Sequence, residues 1–284
     1  MSSKSEVTLI PWDPLSEPHR TLLFEQRVEC SWDMEMVHEV WRDEQIRGDR
    51  CIYWIALSAN DSVAEEREQL IDTAVSINAV TRQPTQAEFI PVGHVSLDSK
   101  NEKAEKLDLE IPPENVFWIK SLFIPPTRRG KGIGRAAMDE IERIAAQEPL
   151  CAKTLMLDTV ERGDQLREDF ALATYGGVPK LPNQDWYSRR GYRSLKIVQN
   201  YYDGKDKNGK RWDTKTIFMR RDLDELRNFQ VICLAQVNGQ FIKDTPGPEL
   251  VTDDTIARDQ LESVATTVQP PGRSPNAFDP SALD

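Results

Sequence analysis

Three glycines at alternate positions, Gly130, Gly132 and Gly134, interleave with Arg129, Lys131 and Ile133 between two apolar segments. Val116, Phe117, Trp118, Ile119, Leu122, Phe123 and Ile124 precede them, and Ala136, Ala137 and Met138 follow. A glycine-rich basic turn therefore joins a strand to a helix. Glycines there admit positive φ and let the backbone approach a ligand, while the exposed N–H groups of a helix N-terminus favour phosphate. The guest this predicts is a pyrophosphate.

The rest of the chain sets the frame for that turn. Strands are predicted at 7–10, 51–57, 89–97, 116–124, 154–158, 192–201 and 214–220, from β-branched and aromatic content and alternation. Apolar spacings of three and four over 22–46, interrupted near Cys30 and Trp32, predict two helices. Behind the glycine turn, Ile133, Ala137, Ile141 and Ile144 recur one turn apart, opposite Asp139, Glu140, Glu142 and Arg143. A short helix is predicted over 183–190, with Asn183 as N-cap and Gly191 as its stop. The acidic stretch 61–88 reads as an inserted loop or helix, and 161–180 as an enlarged connection. This order of elements predicts a single mixed α/β sheet with helices on both faces.

Domain organisation follows from where the aromatic residues stop. Trp and Tyr run from Trp12 to Trp212. One domain over 1–222 is expected, then an extension over 223–245 with a hairpin through Asn238-Gly239, then a disordered acidic and Pro-containing tail over 246–284.

The formal net charge of -11 argues against sequence-independent nucleic-acid binding, which relies on Lys and Arg neutralising phosphates. Cys30, Cys51, Cys151 and Cys233 lie far apart, and His19, His38 and His94 are the only histidines, so neither a zinc site nor a disulfide scaffold is indicated. No metal is expected. The N-terminus lacks a basic region followed by an apolar stretch, and no run approaches membrane-spanning length. The expectation is a cytoplasmic or nuclear protein without membrane partners.

Three readings of the glycine turn compete. A P-loop fails, because no Gly-Lys here is followed by Ser or Thr. A dinucleotide fingerprint is satisfied by Gly132, Gly134 and Ala137 with Asp158 as the ribose acceptor, but residues 125–129 intervene between strand and turn. The third reading fits more residues. The run from Leu122 to Gly134 resembles the acyl-CoA motif of the GNAT N-acetyltransferase superfamily, with Arg129, Gly132 and Gly134 at its core positions. Tyr187, Gly191 and Tyr192 match a second family element, a Tyr four residues ahead of a Gly and an aromatic residue. The chain is also similar to uncharacterised fungal members of that family, a likeness that brings no substrate with it.

The resemblance implies the GNAT fold, a twisted, mostly antiparallel sheet of six to seven strands, and acetyl-CoA as acyl donor. It implies that amides of Arg129, Gly130, Lys131, Gly132, Ile133, Gly134 and Arg135 hold the pyrophosphate, with Arg128, Arg129 and Lys131 adding attraction. The pantetheine arm is expected along Leu122, Phe123 and Ile124, with the Ile124 N–H as oxyanion donor because Pro125 has none. Asn183 is a further pantetheine candidate, although it stands only four residues ahead of Tyr187.

The implied reaction is direct attack of a neutral amine on the thioester. Tyr187 is the expected general acid for the departing thiolate. For the base, Asp158 and His94 are the candidates, with ordered water as the family's other solution. The expected acceptor is a primary amine of a small molecule. Lysine or N-terminal acetylation of a basic peptide is the alternative, and a non-catalytic acyl-CoA binding module the third reading.

Overall fold

The computed structural model describes residues 7–30, 32–57, 68–202 and 210–223. The expected turn at 203–209, the 223–245 hairpin beyond Leu223 and the 246–284 tail lie outside the described residues.

β1 (Val7–Pro11) leads into α1 (Glu17–Cys30), a π-helical turn (Val37–Trp41), α2 (Arg42–Arg47) and β2 (Arg50–Leu57). Four two-residue strands follow, β3 (Leu70–Ile71), β4 (Ser76–Ile77), β5 (Val80–Thr81) and β6 (Glu88–Phe89). Next come β7 (Pro91–Asp98), α3 (Glu102–Glu105), β8 (Val116–Phe123), a 3-10 turn (Pro126–Arg128) and α4 (Ile133–Ala146). The chain continues with β9 (Thr154–Val160), α5 (Arg162–Leu166), α6 (Glu168–Tyr175), α7 (Asn183–Arg189), β10 (Arg193–Gln199) and β11 (Lys215–Asp222).

Seven strands form one sheet in the order β1-β2-β7-β8-β9-β11-β10, as the sequence predicts in number and mixture. Every neighbouring pair is antiparallel except β8 with β9. Of the four buried clusters among the described residues, the two that seat α4 and α1 lie on opposite faces. On one, Ile133, Ala137, Met138 and Ile141 of α4 pack with Leu155, Leu157, Ile119 and Leu122. On the other, Leu23 of α1, Val37 and Trp41 close over Ile52, Trp54 and Ala56 of β2. Burying an Ile or Leu side chain stabilises the fold by about 1.5–3 kcal/mol, so these two rows hold the helices in place.

Two sequence expectations change here. The stretch expected as loop or helix carries two small ladders in its described part, β3 with β6 and β4 with β5. They are held by Asp72, whose carboxylate accepts from Arg82 Nη1 at 2.6 Å, Arg82 Nη2 at 2.8 Å and Thr85 Oγ1 at 2.8 Å. Asn183, expected as an N-cap, is instead the first helical residue of α7, after Pro182. Its side chain turns toward β9, where Nδ2 donates to Thr159 Oγ1 at 3.4 Å, and its backbone N–H donates to Gln165 Oε1 at 2.7 Å.

Candidate functional site

The parallel pair β8 and β9 is joined only at Val116↔Thr154, Phe117↔Leu155 and Trp118↔Met156. Beyond Trp118 the strands part. β9 keeps β11 as its partner as far as Val160, and β8 keeps β7, so the edges facing each other across the split have no ladder. An edge without a ladder presents main-chain donors and acceptors to an extended ligand.

A bulge interrupts the other side of β8, in its ladder with β7. From His94↔Phe123 to Ser96↔Lys120, β7 advances by two residues and β8 by three, so β8 carries an extra residue. Ser121 takes it up with φ of 53°, the left-handed region. Its Oγ is buried without a hydrogen-bond partner among the described residues. Bulges of this kind locally break the ladder and re-aim backbone groups. The close approach is helped by Gly93, where a Cβ would lie 2.3 Å from the Phe123 carbonyl oxygen.

Leu122, Phe123 and Ile124 finish the strand and are buried. The Ile124 N–H, the expected oxyanion donor, meets no backbone carbonyl among the described residues, whereas its carbonyl accepts from Arg129 Nε at 3.1 Å. The chain then turns through Pro126–Arg128 into the glycine segment. Gly130 and Gly132 have φ of 76° and 75°, and Gly132 is the left-handed N-cap of α4. The first backbone bond at this helix start is Ala136 N to Gly132 O at 3.0 Å. Amides of Gly130, Gly132, Ile133, Gly134 and Arg135 meet no backbone carbonyl among the described residues. They are the free donors that a helix N-terminus presents to an anion.

The expected cationic support is narrower than the sequence implied. Arg128 is 4% exposed, and the Arg129 guanidinium is turned to the Ile124 carbonyl. Lys131 and Arg135 are the exposed cations of the turn.

Tyr187 stands on the α4 face of the sheet, within the core formed by that helix. Trp186 and Tyr192 pack edge-on to its ring at centroid distances of 4.9 and 5.8 Å. Asn183, one turn earlier, is 1% exposed, and its Oδ1 has no partner among the described residues. A buried carbonyl oxygen without a donor is costly to leave unmade. It is placed beside Thr159 of β9, on the far wall of the split.

Asp158 lies on the opposite face. Lys120 Nζ is 2.5 Å from Oδ1, and Tyr202 Oη donates to Oδ2 at 2.7 Å. Lys120 and Asp158 are the second pair past the last bonded one, so this ion pair ties the two strands just where the ladder ends. A base needs a lone pair facing the amine. Here each carboxylate oxygen faces a donor of the protein, an engagement the sequence reading of Asp158 did not foresee. Tyr202, one residue past the strand predicted over 192–201, is pushed well above its usual pKa by burial and by the Asp158 charge.

His94 is 0% exposed. Its Nδ1–H donates to Gln26 Oε1 at 2.7 Å, and Nε2 accepts from Arg27 Nη1 at 3.4 Å. Burial, followed by the neighbouring Arg27 charge, holds its pKa well below 6.5. It is a core histidine bridging β7 to α1.

A groove of about 380 Å³ runs between α1 and the β8–α4 connection, lined by Leu22, Gln26, Pro125 and Thr127 and by the carboxylates of Glu25, Glu29 and Glu68. Among the described residues no group of His, Cys, Asp and Glu is arranged to hold a metal ion, and no helix is long and apolar enough to cross a membrane.

These residues fit an acyl-CoA. Free amides suit a diphosphate, the unladdered edge suits an amide-bearing arm, and the orphaned Asn183 oxygen suits a donor on that arm.

No curated protein matches the chain. Among solved structures, an aminoglycoside 6'-N-acetyltransferase complexed with coenzyme A is 15% identical, with 76% of this chain and 97% of that one covered and a TM-score of 0.43. A putative GNAT acetyltransferase from Desulfovibrio desulfuricans is 12% identical, with 76% and 99% covered and a TM-score of 0.45. Spermidine/spermine N-acetyltransferase SpeG from Vibrio cholerae is 10% identical, with 79% and 96% covered and a TM-score of 0.43. The profile of the acetyltransferase (GNAT) family matches residues 23–171, more than half of the chain and inclusive of β8, the glycine turn, α4 and β9. The chain belongs to the GNAT family of N-acetyltransferases, whose acyl donor is acetyl-CoA.

Proposed function

We propose that this chain transfers an acetyl group from acetyl-CoA to the primary amine of a small, positively charged molecule. The observation that carries the reading is the split between β8 and β9 past Trp118↔Met156, opening beside the free amides at the start of α4. Amides of Gly130 to Arg135 bind the diphosphate, assisted by Lys131 and Arg135, and the edge of β8 from Leu122 to Ile124 pairs with the pantetheine amides. Asn183 Oδ1 accepts a hydrogen bond from that arm. Acetyl-CoA supplies an activated thioester when bound.

The protein's own residues then polarise and move protons. The Ile124 N–H faces charge developing on the thioester oxygen, where a fixed donor stabilises the transition state more than the ground state. Tyr187 gives its phenolic proton to the departing sulfur. The amine loses its proton to water rather than to Asp158, whose oxygens are held by Lys120 and Tyr202. In this scheme Asp158 fixes the width of the split. Glu25, Glu29 and Glu68 in the α1 groove favour a cationic acceptor over an anionic one.

The test is thiol release from acetyl-CoA by the full chain, with spermidine, an aminoglycoside, a neutral primary amine and a lysine-containing basic peptide as acceptors. Turnover with the small cationic amines supports the reading. Product on the peptide alone would replace it with peptide acetylation, and CoA binding without turnover on any amine would leave a binding module.

A further inference from the structure

Glu142 lies in the middle of α4, outside the split, and is 8% exposed. Three side chains converge on its carboxylate. Arg190, the C-cap of α7, reaches it with Nη2 at 2.8 Å and Nε at 3.3 Å. Tyr192 Oη donates to it at 3.1 Å, and Arg221 Nη1 of β11 at 2.7 Å. Asp139, one turn earlier on α4, shares the Arg190 guanidinium at 2.9 Å. A carboxylate this far from water persists only with such a set of donors, and the scheme above gives it no role.

The same residues clasp Tyr187. Its carbonyl oxygen accepts from the Arg190 amide at 2.9 Å and from the Tyr192 amide at 3.1 Å. The Tyr192 ring is the edge-on neighbour of the Tyr187 ring. Both residues that hold the Tyr187 backbone thus end their side chains on one carboxylate, and that carboxylate belongs to the helix whose N-terminus carries the free amides.

We propose that Glu142 is a positioning residue for acetyl transfer: through Arg190 and Tyr192 it fixes the Tyr187 phenol relative to the amide turn at the head of α4. The distance from the proton donor to the sulfur is set by the spacing of α4 and α7, and Glu142 sets that spacing. An error of about 1 Å in such a placement lowers turnover by about 100-fold without touching the binding contacts. The inference rests on the acetyl-transfer reading above.

The test compares the parent with Glu142→Gln, Tyr192→Phe, Tyr187→Phe and the double variant Glu142→Gln/Tyr187→Phe as full chains. CoA affinity is read by calorimetry, and kcat and KM with the amine that the acceptor panel identifies. Glu142→Gln is expected to lower kcat by at least about tenfold, with CoA affinity and KM for acetyl-CoA within about twofold of the parent. Tyr192→Phe, which removes one of the donors, gives a smaller loss in the same direction. In the Tyr187→Phe background, Glu142→Gln costs nothing further, because there is no longer a phenol to place. Full turnover in folded Glu142→Gln, or a loss of equal size with and without the Tyr187 hydroxyl, overturns the proposal. A parent that binds no CoA, or turns over no amine, overturns the transfer reading itself and this inference with it.

Discussion

Tyr187 is buried, with its main chain and its ring both fixed by neighbours. Its backbone is clasped by Arg190 and Tyr192, and its ring is walled by Trp186 and Tyr192. Tyr187→Phe keeps that packing and removes the proton. Turnover is expected to fall by about 100-fold with CoA affinity unchanged, and equal turnover in variant and parent contradicts the assignment. The histidines make a different prediction. His19 Nδ1 accepts from Asp13 N at 3.0 Å and Trp54 Nε1 at 3.1 Å, so Nε2 carries the proton and donates to Ile71 O at 3.0 Å. Burial lowers the pKa of His19 and of His94 below 6.5. The unfolded chain therefore binds more protons below about pH 6.5, and stability that is full above that pH declines as pH falls through and below it. Urea unfolding at pH 7.5 and 5.5 checks this, and an unfolding midpoint that is the same at both contradicts it. Asp158 shows where sequence reading stops at this scale, since nothing in the order of residues says that Lys120 and Tyr202 reach its two oxygens.

Elements differ in how far their sequence announced them. α4 was legible because Ile133, Ala137 and Ile141 recur at helical spacing, and all three are buried. Ile141→Ala is expected to destabilise the fold by about 2–5 kcal/mol in denaturant titrations, the cost of a cavity at a fully buried position. The glycine turn was legible because Gly130 and Gly132 stand where φ is positive. Gly132→Ala places a Cβ in the left-handed region, costing about 1–2 kcal/mol and raising KM for acetyl-CoA; a variant with unchanged KM would separate the turn from coenzyme binding. The ladders between residues 70 and 89 were not legible. Two-residue strands carry no periodicity, and their organiser is a side chain, Asp72. Burial works against the Asp72 charge, but Arg82 and Thr85 bring its pKa down to about 2. Its contribution is present above the ordinary carboxylate range and is lost as pH falls toward 2. α7 was legible in extent but not at its cap, because Asn183 is drawn to Thr159 and away from its own helix.

At the scale of the molecule, the topology places the amide turn and Tyr187 on one face of the sheet and Asp158, Lys120 and α1 on the other. Under the proposed function, the split between β8 and β9 is the passage by which a thioester held from one side meets an amine arriving from the other. The strand order could not be read from sequence, because a parallel pair that separates after three residues leaves no mark in either strand's composition. Both family motifs, the glycine turn at the head of α4 and Tyr187 on α7, lie on the α4 face of the sheet, and the pairing that bounds the split was readable from neither. Under the proposed function a cationic acceptor is drawn to Glu25, Glu29 and Glu68, an attraction that salt screens. Raising ionic strength is expected to raise KM for the amine, and an unchanged KM would argue against the acidic groove as its site.

A crystal structure of the full chain with CoA is the decisive measurement. The diphosphate is expected on the amides of Gly130 to Arg135, the pantetheine along β8 between Leu122 and Ile124, and the sulfur beside the Tyr187 hydroxyl. CoA bound elsewhere, with β8 and β9 closed on each other past Trp118 and the amide turn bare, would contradict that placement.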